Sequence, residues 1–258
     1  MYRFFIKHAF YLIALIAMIA NSAAFAAIDG NLVAYWGCDE GSGNTLNDSA
    51  GGHTGMLSAG IAFVDDTASN SGTALDFTAG GDPLITVEDA PDLNNWDPGF
   101  TVAMWLCPRG GGSLMDKSES DAVRVQWYVL GDQRMHWGHG GSWGFSDDMH
   151  FPAFGEWHHV AWTHDMAQSV VYIDGNVAGT TEFEGPIPDT TGAVLYFGNR
   201  LVHEGRSEWY NGKMDEIGLW NRALSADEIG ALAGGEIPTA VLPQDKLATT
   251  WADLKSHD

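Results

Sequence analysis

Apolar residues recur at every second position over short stretches of this chain, and polar or glycine-rich gaps separate the stretches. Segments 32–36, 74–77, 84–87, 100–105, 123–130, 135–137, 157–163, 170–173, 194–197 and 214–220 show this pattern. Period-two alternation turns successive side chains to opposite faces, so each segment predicts a half-buried β-strand. Phe100-Thr101-Val102-Ala103-Met104-Trp105 reads as a central strand. Asp174-Gly175 falls between apolar runs and predicts a two-residue hairpin, because both central positions of a type I′ turn need positive φ. No helical pattern of 10–15 residues separates the strands, which argues against a parallel α/β sheet. One short helix is predicted after Ser225. Ser225 and Glu228 have capping-box spacing, Ile229 and Leu232 share a face, and Gly234-Gly235 ends the run. The whole predicts an all-β fold, a two-sheet antiparallel jelly-roll sandwich with one short C-terminal helix.

The ends of the chain differ from this middle. Arg3 and Lys7 precede an apolar run at 9–19, and Ala24-Phe25-Ala26 fits a small-x-small cleavage site. Residues 1–26 are therefore expected to be a signal peptide. A membrane anchor is the alternative, but the run is short of the roughly 20 residues a span needs. No later stretch is apolar enough to cross a bilayer, so the product is expected to be secreted, periplasmic or held at the cell surface. Residues 27–236 are expected to form the β domain, and 237–258 a linker or tail. The formal charge is −22, with 34 acidic and 12 basic residues. Such an acidic exterior argues against nucleic acid and anionic lipid as partners. It suits neutral sugars or calcium, or simple solubility. Cys38 and Cys107 are the two cysteines. In an exported protein a pair suggests a disulfide, and two buried free thiols are the other possibility.

Six pieces of sequence, in order, carry a family resemblance. They are Tyr35-Trp36-Gly37-Cys38-Asp39-Glu40-Gly41-Ser42-Gly43; Gly72-Thr73-Ala74-Leu75-Asp76-Phe77; the Phe100–Trp105 strand; Trp157-His158-His159-Val160-Ala161 followed by Val171-Tyr172-Ile173-Asp174-Gly175; Gly212-Lys213-Met214-Asp215-Glu216-Ile217; and Asn221-Arg222-Ala223-Leu224-Ser225. Together they resemble laminin-G-like, concanavalin A-like jelly-roll domains, from about residue 32 to about 232. That fold is mostly a binding module and only sometimes an enzyme, so it does not by itself name a ligand.

The resemblance implies a structural calcium near the loop after the first strand. Asp39, Asp48 and the Gly41 carbonyl are the candidate ligands there, with Asp215 brought beside them by pairing of the first and last strands. Calcium takes six to eight oxygens, including carbonyls. Asp215 is expected to share its strand face with Ile217 and Leu219, where a lone carboxylate is costly; hydrogen bonding to loop N–H groups would also explain it. Aromatic residues are dense, and sugar-binding sandwiches place exposed rings beside polar groups. Trp143, in a glycine-rich stretch, and Arg206, Trp209 and Tyr210, in a loop-like one, are the candidate ligand-binding residues. Trp36, Trp105 and Trp157 fall on strand motifs and are expected in the core.

Other constellations carry less. Adjacent His158 and His159 point to opposite strand faces and cannot easily share a zinc ion. Gly140-Gly141-Ser142-Trp143-Gly144 matches a nucleophile elbow only formally, lacking the strand-to-helix context. Retaining glycosidases of this fold aim carboxylates from one strand, and no E-x-D-x-E run is present. No catalytic residue is assigned. The expected function is non-catalytic binding or adhesion toward a carbohydrate or cell-surface ligand. The alternatives are a structural or adhesive protein–protein module and, less favoured, a glycoside hydrolase.

Overall fold

The computed structural model describes residues 31–68, 72–78, 82–94, 96–120, 122–140, 142–182, 187–200 and 208–238, the side chains of 142–149 excepted. The expected signal peptide, Arg206 and the tail from 239 onward lie outside the described residues. Among those described, no helix is long and apolar enough to cross a membrane.

The described residues form two antiparallel sheets of eight strands each. The first contains β1 (Leu32–Trp36), β4 (Ile61–Val64), β5 (Ala74–Phe77), β7 (Phe100–Pro108), β12 (His158–His164), β13 (Gln168–Ile173), β14 (Asn176–Glu182) and β16 (Gly212–Trp220). Its order is β14-β13-β12-β7-β16-β5-β4, and β1 pairs with β16. The second contains β2 (Thr45–Leu46), β3 (Gly55–Leu57), β6 (Ile85–Val87), β8 (Gly112–Ser118), β9 (Arg124–Val129), β10 (Arg134–His139), β11 (Ser142–His150) and β15 (Leu195–Phe197). Its order is β11-β10-β9-β8-β15-β6-β3-β2. The first described strand thus lies beside the last, as expected from the sequence.

Alternation builds the core. Val102, Met104 and Leu106 of β7, Val160 and Trp162 of β12, and Val125, Trp127 and Val129 of β9 enter one apolar cluster between the sheets. A second cluster covers the outer face of the first sheet. There Ala103, Ala161, Tyr172 and Trp220 receive Leu224, Ile229 and Leu232. The last two come from helix α1 (Ala226–Ala233), capped by Ser225 and Glu228 reciprocally. The hairpin turn has φ of 50° at Asp174 and 76° at Gly175, the geometry expected of a type I′ turn.

Several expectations need correction. Trp36 is buried at 1 % exposure, but Trp105 and Trp157 are only half-buried. Trp157 Nε1 donates to Asp66 instead of packing in the core. The stretch holding Trp143 is not a loop: residues 142–150 form β11, in register with β10. Asp215 does not share a face with Ile217 by simple alternation. A bulge interrupts the β16–β7 register between Asp215 and Gly218, with Glu216 at φ 51°, and Met214 and Ile217 both enter the core. The extra residue shifts the phase by one. Cys38 and Cys107 are both free, which corrects the expected disulfide. Cys38 is part of the inter-sheet core, whereas Cys107 pairs in register with Lys213 and is out of phase with core residues Met104 and Leu106. The two thiols belong to opposite faces of the first sheet.

Candidate functional site

The second sheet carries a groove of about 400 Å³ at the open end of the β8–β9 hairpin. Gly111, Gly112, Gly131, Tyr128, Glu208 and Trp209 are among its lining residues. Alternation explains Tyr128: its neighbours Trp127 and Val129 are core residues, so the phenol is turned outward. Its hydroxyl lies 3.3 Å from His136 Nδ1. Burial, and then the negative charge of Glu208, push the phenol pKa up.

Trp209 and Glu208 reach the groove because segment 208–211 crosses the end of β8. Ser113 N donates to Glu208 O at 2.8 Å, and Tyr210 N donates to Gly198 O at 2.7 Å. Gly112 makes that crossing possible. Its φ is 146°, and an added Cβ would lie 2.4 Å from both Trp209 O and Tyr210 Cα. Any side chain there would displace the segment. Glu208 pairs with Arg200 at 3.5 Å. The groove therefore joins two half-exposed aromatic side chains to a carboxylate–guanidinium pair.

A polar row extends from it across the outer face of the sheet. In register, Gly138, Gln126, Asp116 and Tyr196 follow one another from β10 to β15. Gln126 Nε2 donates to Asp116, and Gln126 Oε1 is buried without a protein partner.

Of the expected ligand-binding residues, Trp209 lines the groove. Tyr210 does not: it is fully buried, packs edge-on against Phe77, and its hydroxyl donates to Lys213 O at 3.1 Å. The two are neighbours in extended chain, and alternation sends the second of them inward. Trp143 lies opposite Gly138 in the β10–β11 register, its side chain outside the described set, as is all of Arg206. Tyr128 and Glu208 line the groove with Trp209, and Arg200 stands behind as the partner of Glu208. The apolar-polar alternation of β9 pointed to Tyr128, but nothing local joined it to residues some 80 positions away.

The expected calcium ligands separate into two groups. Asp48 Oδ1 accepts from Tyr35 N and Ala50 N, and Oδ2 accepts from Gly51 N and His53 N, at 2.8 to 3.0 Å. Four backbone N–H groups saturate this carboxylate, so it closes its own loop. Asp39 Oδ1 accepts from Gly72 N and Thr73 N, and Asp215 Oδ2 accepts from Ala68 N at 3.2 Å. Both therefore hold the segment between β4 and β5. Burial, and then the charges of Asp215, Glu40 and Asp39, push the Cys38 thiol far up. Glu40 Oε2 is buried without a protein partner. Gly41 has φ 68°. Among the described residues, no three His, Cys, Asp or Glu side chains are grouped as a metal site; a calcium there would need backbone carbonyls besides Asp39 and Asp215.

His158 and His159 diverge as expected. His158 Nδ1 lies 2.7 Å from Asp174 Oδ2, while the His159 ring meets Trp105 edge-on at 5.4 Å. In the formal elbow motif, Ser142, Trp143 and Gly144 begin strand β11 instead of leading into a helix.

Solved structures share this architecture. The binding domain of paraclostridial mosquitocidal protein 1 superposes with a TM-score of 0.62 at 15 % identity, over 81 % of this chain and 53 % of that one. The binding domain of botulinum neurotoxin DC, solved in complex with SialylT, gives 0.59 at 13 % identity, over 81 % and 52 %. Domain 4 of AbnA, a GH43 extracellular arabinanase from Geobacillus stearothermophilus, in complex with arabinotriose, gives 0.60 at 19 % identity, over 79 % and 98 %. The chain thus spans about half the length of the toxin domains, and at these identities the likeness is one of fold. No curated protein sequence matches. The family profile of the concanavalin A-like lectin/glucanases superfamily, laminin G type, matches residues 79–230. With two antiparallel sheets, a β1–β16 pair closing the sandwich and that match over more than half its length, the chain belongs to the laminin G-like branch of the concanavalin A-like lectin/glucanase superfamily.

Proposed function

We propose that this protein is a secreted, non-catalytic binding module for carbohydrate, and that the groove between Tyr128 and Trp209 is its binding site. The observation that carries the reading is the meeting of those aromatic side chains with Glu208 in one concave surface, Glu208 being itself paired with Arg200. A pyranose has an apolar C–H face that packs on an aromatic ring and hydroxyl edges that bond charged groups. Neighbours of the same fold include one solved with SialylT and one with arabinotriose, which supports a sugar over other ligands. Glu208 is the single carboxylate of the described groove lining, whereas glycoside hydrolysis needs two; this favours binding.

Trp209→Ala tests the site. Oligosaccharide affinity, read by calorimetry after a glycan array selects a ligand, is expected to fall at least about tenfold, equivalent to about 1.4 kcal/mol. The half-exposed ring should contribute little to the melting temperature. Undiminished sugar binding by Trp209→Ala would remove the groove from the account. Saturable binding to a protein surface with none to glycans would favour an adhesive module instead.

A structural calcium held by Asp39 and Asp215 belongs to the same reading, the unpartnered Glu40 oxygen and the hard-oxygen donor set supporting it. Bound calcium would neutralise these clustered acids and tie β1 to β16. Millimolar calcium is expected to raise the melting temperature over EDTA by mass action, and Asp215→Asn to abolish the rise. An unchanged wild-type transition would leave Asp39 and Asp215 as hydrogen-bonding residues only.

A further inference from the structure

On the opposite side of the molecule, the outer face of the first sheet and the segment after α1 line a partly open pocket of about 20 Å³. Tyr35, Trp105, His159, Glu216, Trp220 and Glu236 line it, together with the chain as far as Pro238. Its buried part holds one water-sized group, and its open side leaves room for a substituent. Tyr35 and His159 are 5 % and 3 % exposed. Tyr35 Oη, His159 Nδ1, Glu216 Oε2 and Glu236 Oε2 are all buried and have no hydrogen-bond partner.

The chemistry of these atoms restricts the occupant. Both carboxylate oxygens only accept hydrogen bonds when ionised, and His159 Nδ1 accepts in the tautomer that carries its proton on Nε2. Buried polar atoms left unpaired forfeit the full cost of their desolvation, so four in one cavity call for a shared partner. Water offers two donor hydrogens and no charge. The lining contains two acids and no lysine or arginine. Trp105 and Trp220 contribute indole rings, whose faces attract cations.

We propose that this cavity is a site for a small monovalent cation bearing N–H donors, that is, ammonium or the head group of a primary amine. The bound group would donate to Glu216, Glu236 and His159, contact the indoles, and fasten the chain after α1 to the sheet. The site shares no lining residue with the sugar groove.

Thermal unfolding of the protein from Ala27 onward, in EDTA at pH 7.5 and fixed ionic strength, tests it. Ammonium, methylammonium, potassium and tetramethylammonium chlorides replace sodium chloride in separate titrations. A saturating rise in melting temperature of a few degrees is expected with ammonium and with methylammonium. None is expected with tetramethylammonium, which is too large and lacks N–H donors. Glu236→Gln is expected to cut the rise by at least half. Tyr35→Phe, which keeps the ring, should weaken it, and calorimetry with methylammonium on either folded variant should give a correspondingly raised Kd. An equal rise with tetramethylammonium, a rise unaffected by Glu236→Gln, a rise with potassium but not ammonium, or no rise at all would each overturn the assignment.

Discussion

Replacing Lys117 with alanine is expected to destabilise the protein by about 3–5 kcal/mol, the cost of breaking a buried ion pair from one side. Lys117 is 0 % exposed on β8, in register with Leu195 and Val125. Its Nζ donates to Asp89 at 2.8 Å and to the Ala193 carbonyl. Asp89 also accepts from Asn94 and from Gly192 N. Burial lowers the Lys117 pKa and Asp89 opposes the change; burial would raise that of Asp89, but its hydrogen bonds hold it below the ordinary value. The truncation leaves Asp89 without its cation, a carbonyl without its donor, and a void. For a domain of this size the loss corresponds to roughly 10–15 °C in melting temperature. Lys117→Met refills the void and should cost less, since Asp89 is 23 % exposed and water can reach it. Lys117→Met combined with Asp89→Asn should recover most of the remainder. Urea unfolding of wild type, both single variants and the double variant forms a double-mutant cycle. A loss below about 1 kcal/mol for Lys117→Ala, the size of an exposed pair, would mean that the interaction is dispensable.

Stability is expected to fall as pH drops from about 6.5 to 4. Burial pushes His159 down to about 4. It does the same to His139, helped by neighbouring His164, and lowers His164 in turn. The unfolded chain binds protons at these residues near pH 6.5, whereas the folded one resists until about pH 4 at His139 and His159 and until a lower pH than usual at His164. The unfolded state therefore gains protons first, and the stabilisation present above pH 6.5 is lost through this window. A shift of that size amounts to about 3 kcal/mol for a fully buried ring. Glu216 acts in the opposite sense: burial holds it up at about 7, so it favours the folded state as pH falls from 7 toward 4.5. The histidines outnumber it, and the net slope should be destabilising. Denaturant unfolding at a series of pH values from neutral to mildly acidic reads the slope. His159→Gln should flatten it and Glu216→Gln should steepen it. A wild-type free energy that stays constant across the series would show that these rings are not shielded from protons.

The two charged residues of β8 also show where reading from the sequence stops. Ser113-Leu114-Met115-Asp116-Lys117-Ser118 breaks the apolar alternation because Asp116 and Lys117 are both 0 % exposed; Asp116 accepts from Gln126, and Lys117 donates to Asp89 and the Ala193 carbonyl. β11 hides in a different way, behind glycines that read as a loop. The aromatic Tyr210 looks surface-bound among polar neighbours, yet it is the residue that turns inward where 208–211 crosses β8.

What depends on near neighbours could be read from the residues alone. Alternation set most of the strands and their inward faces, Asp174-Gly175 set a hairpin, and Ser225 with Glu228 set the start of the helix. These follow from local backbone preference and period, which need no distant partner. Which remote residues meet was settled by the assembled sandwich. It placed Cys38 and Cys107 on opposite faces of one sheet, shifted β16 by a bulge at Asp215 and Glu216, and gave Asp48 to its own loop. It also brought Tyr128 beside Glu208 and Trp209, and Tyr35 beside His159 and Glu236. Such meetings depend on strand order and register across the sandwich, and those are fixed by packing the whole core at once.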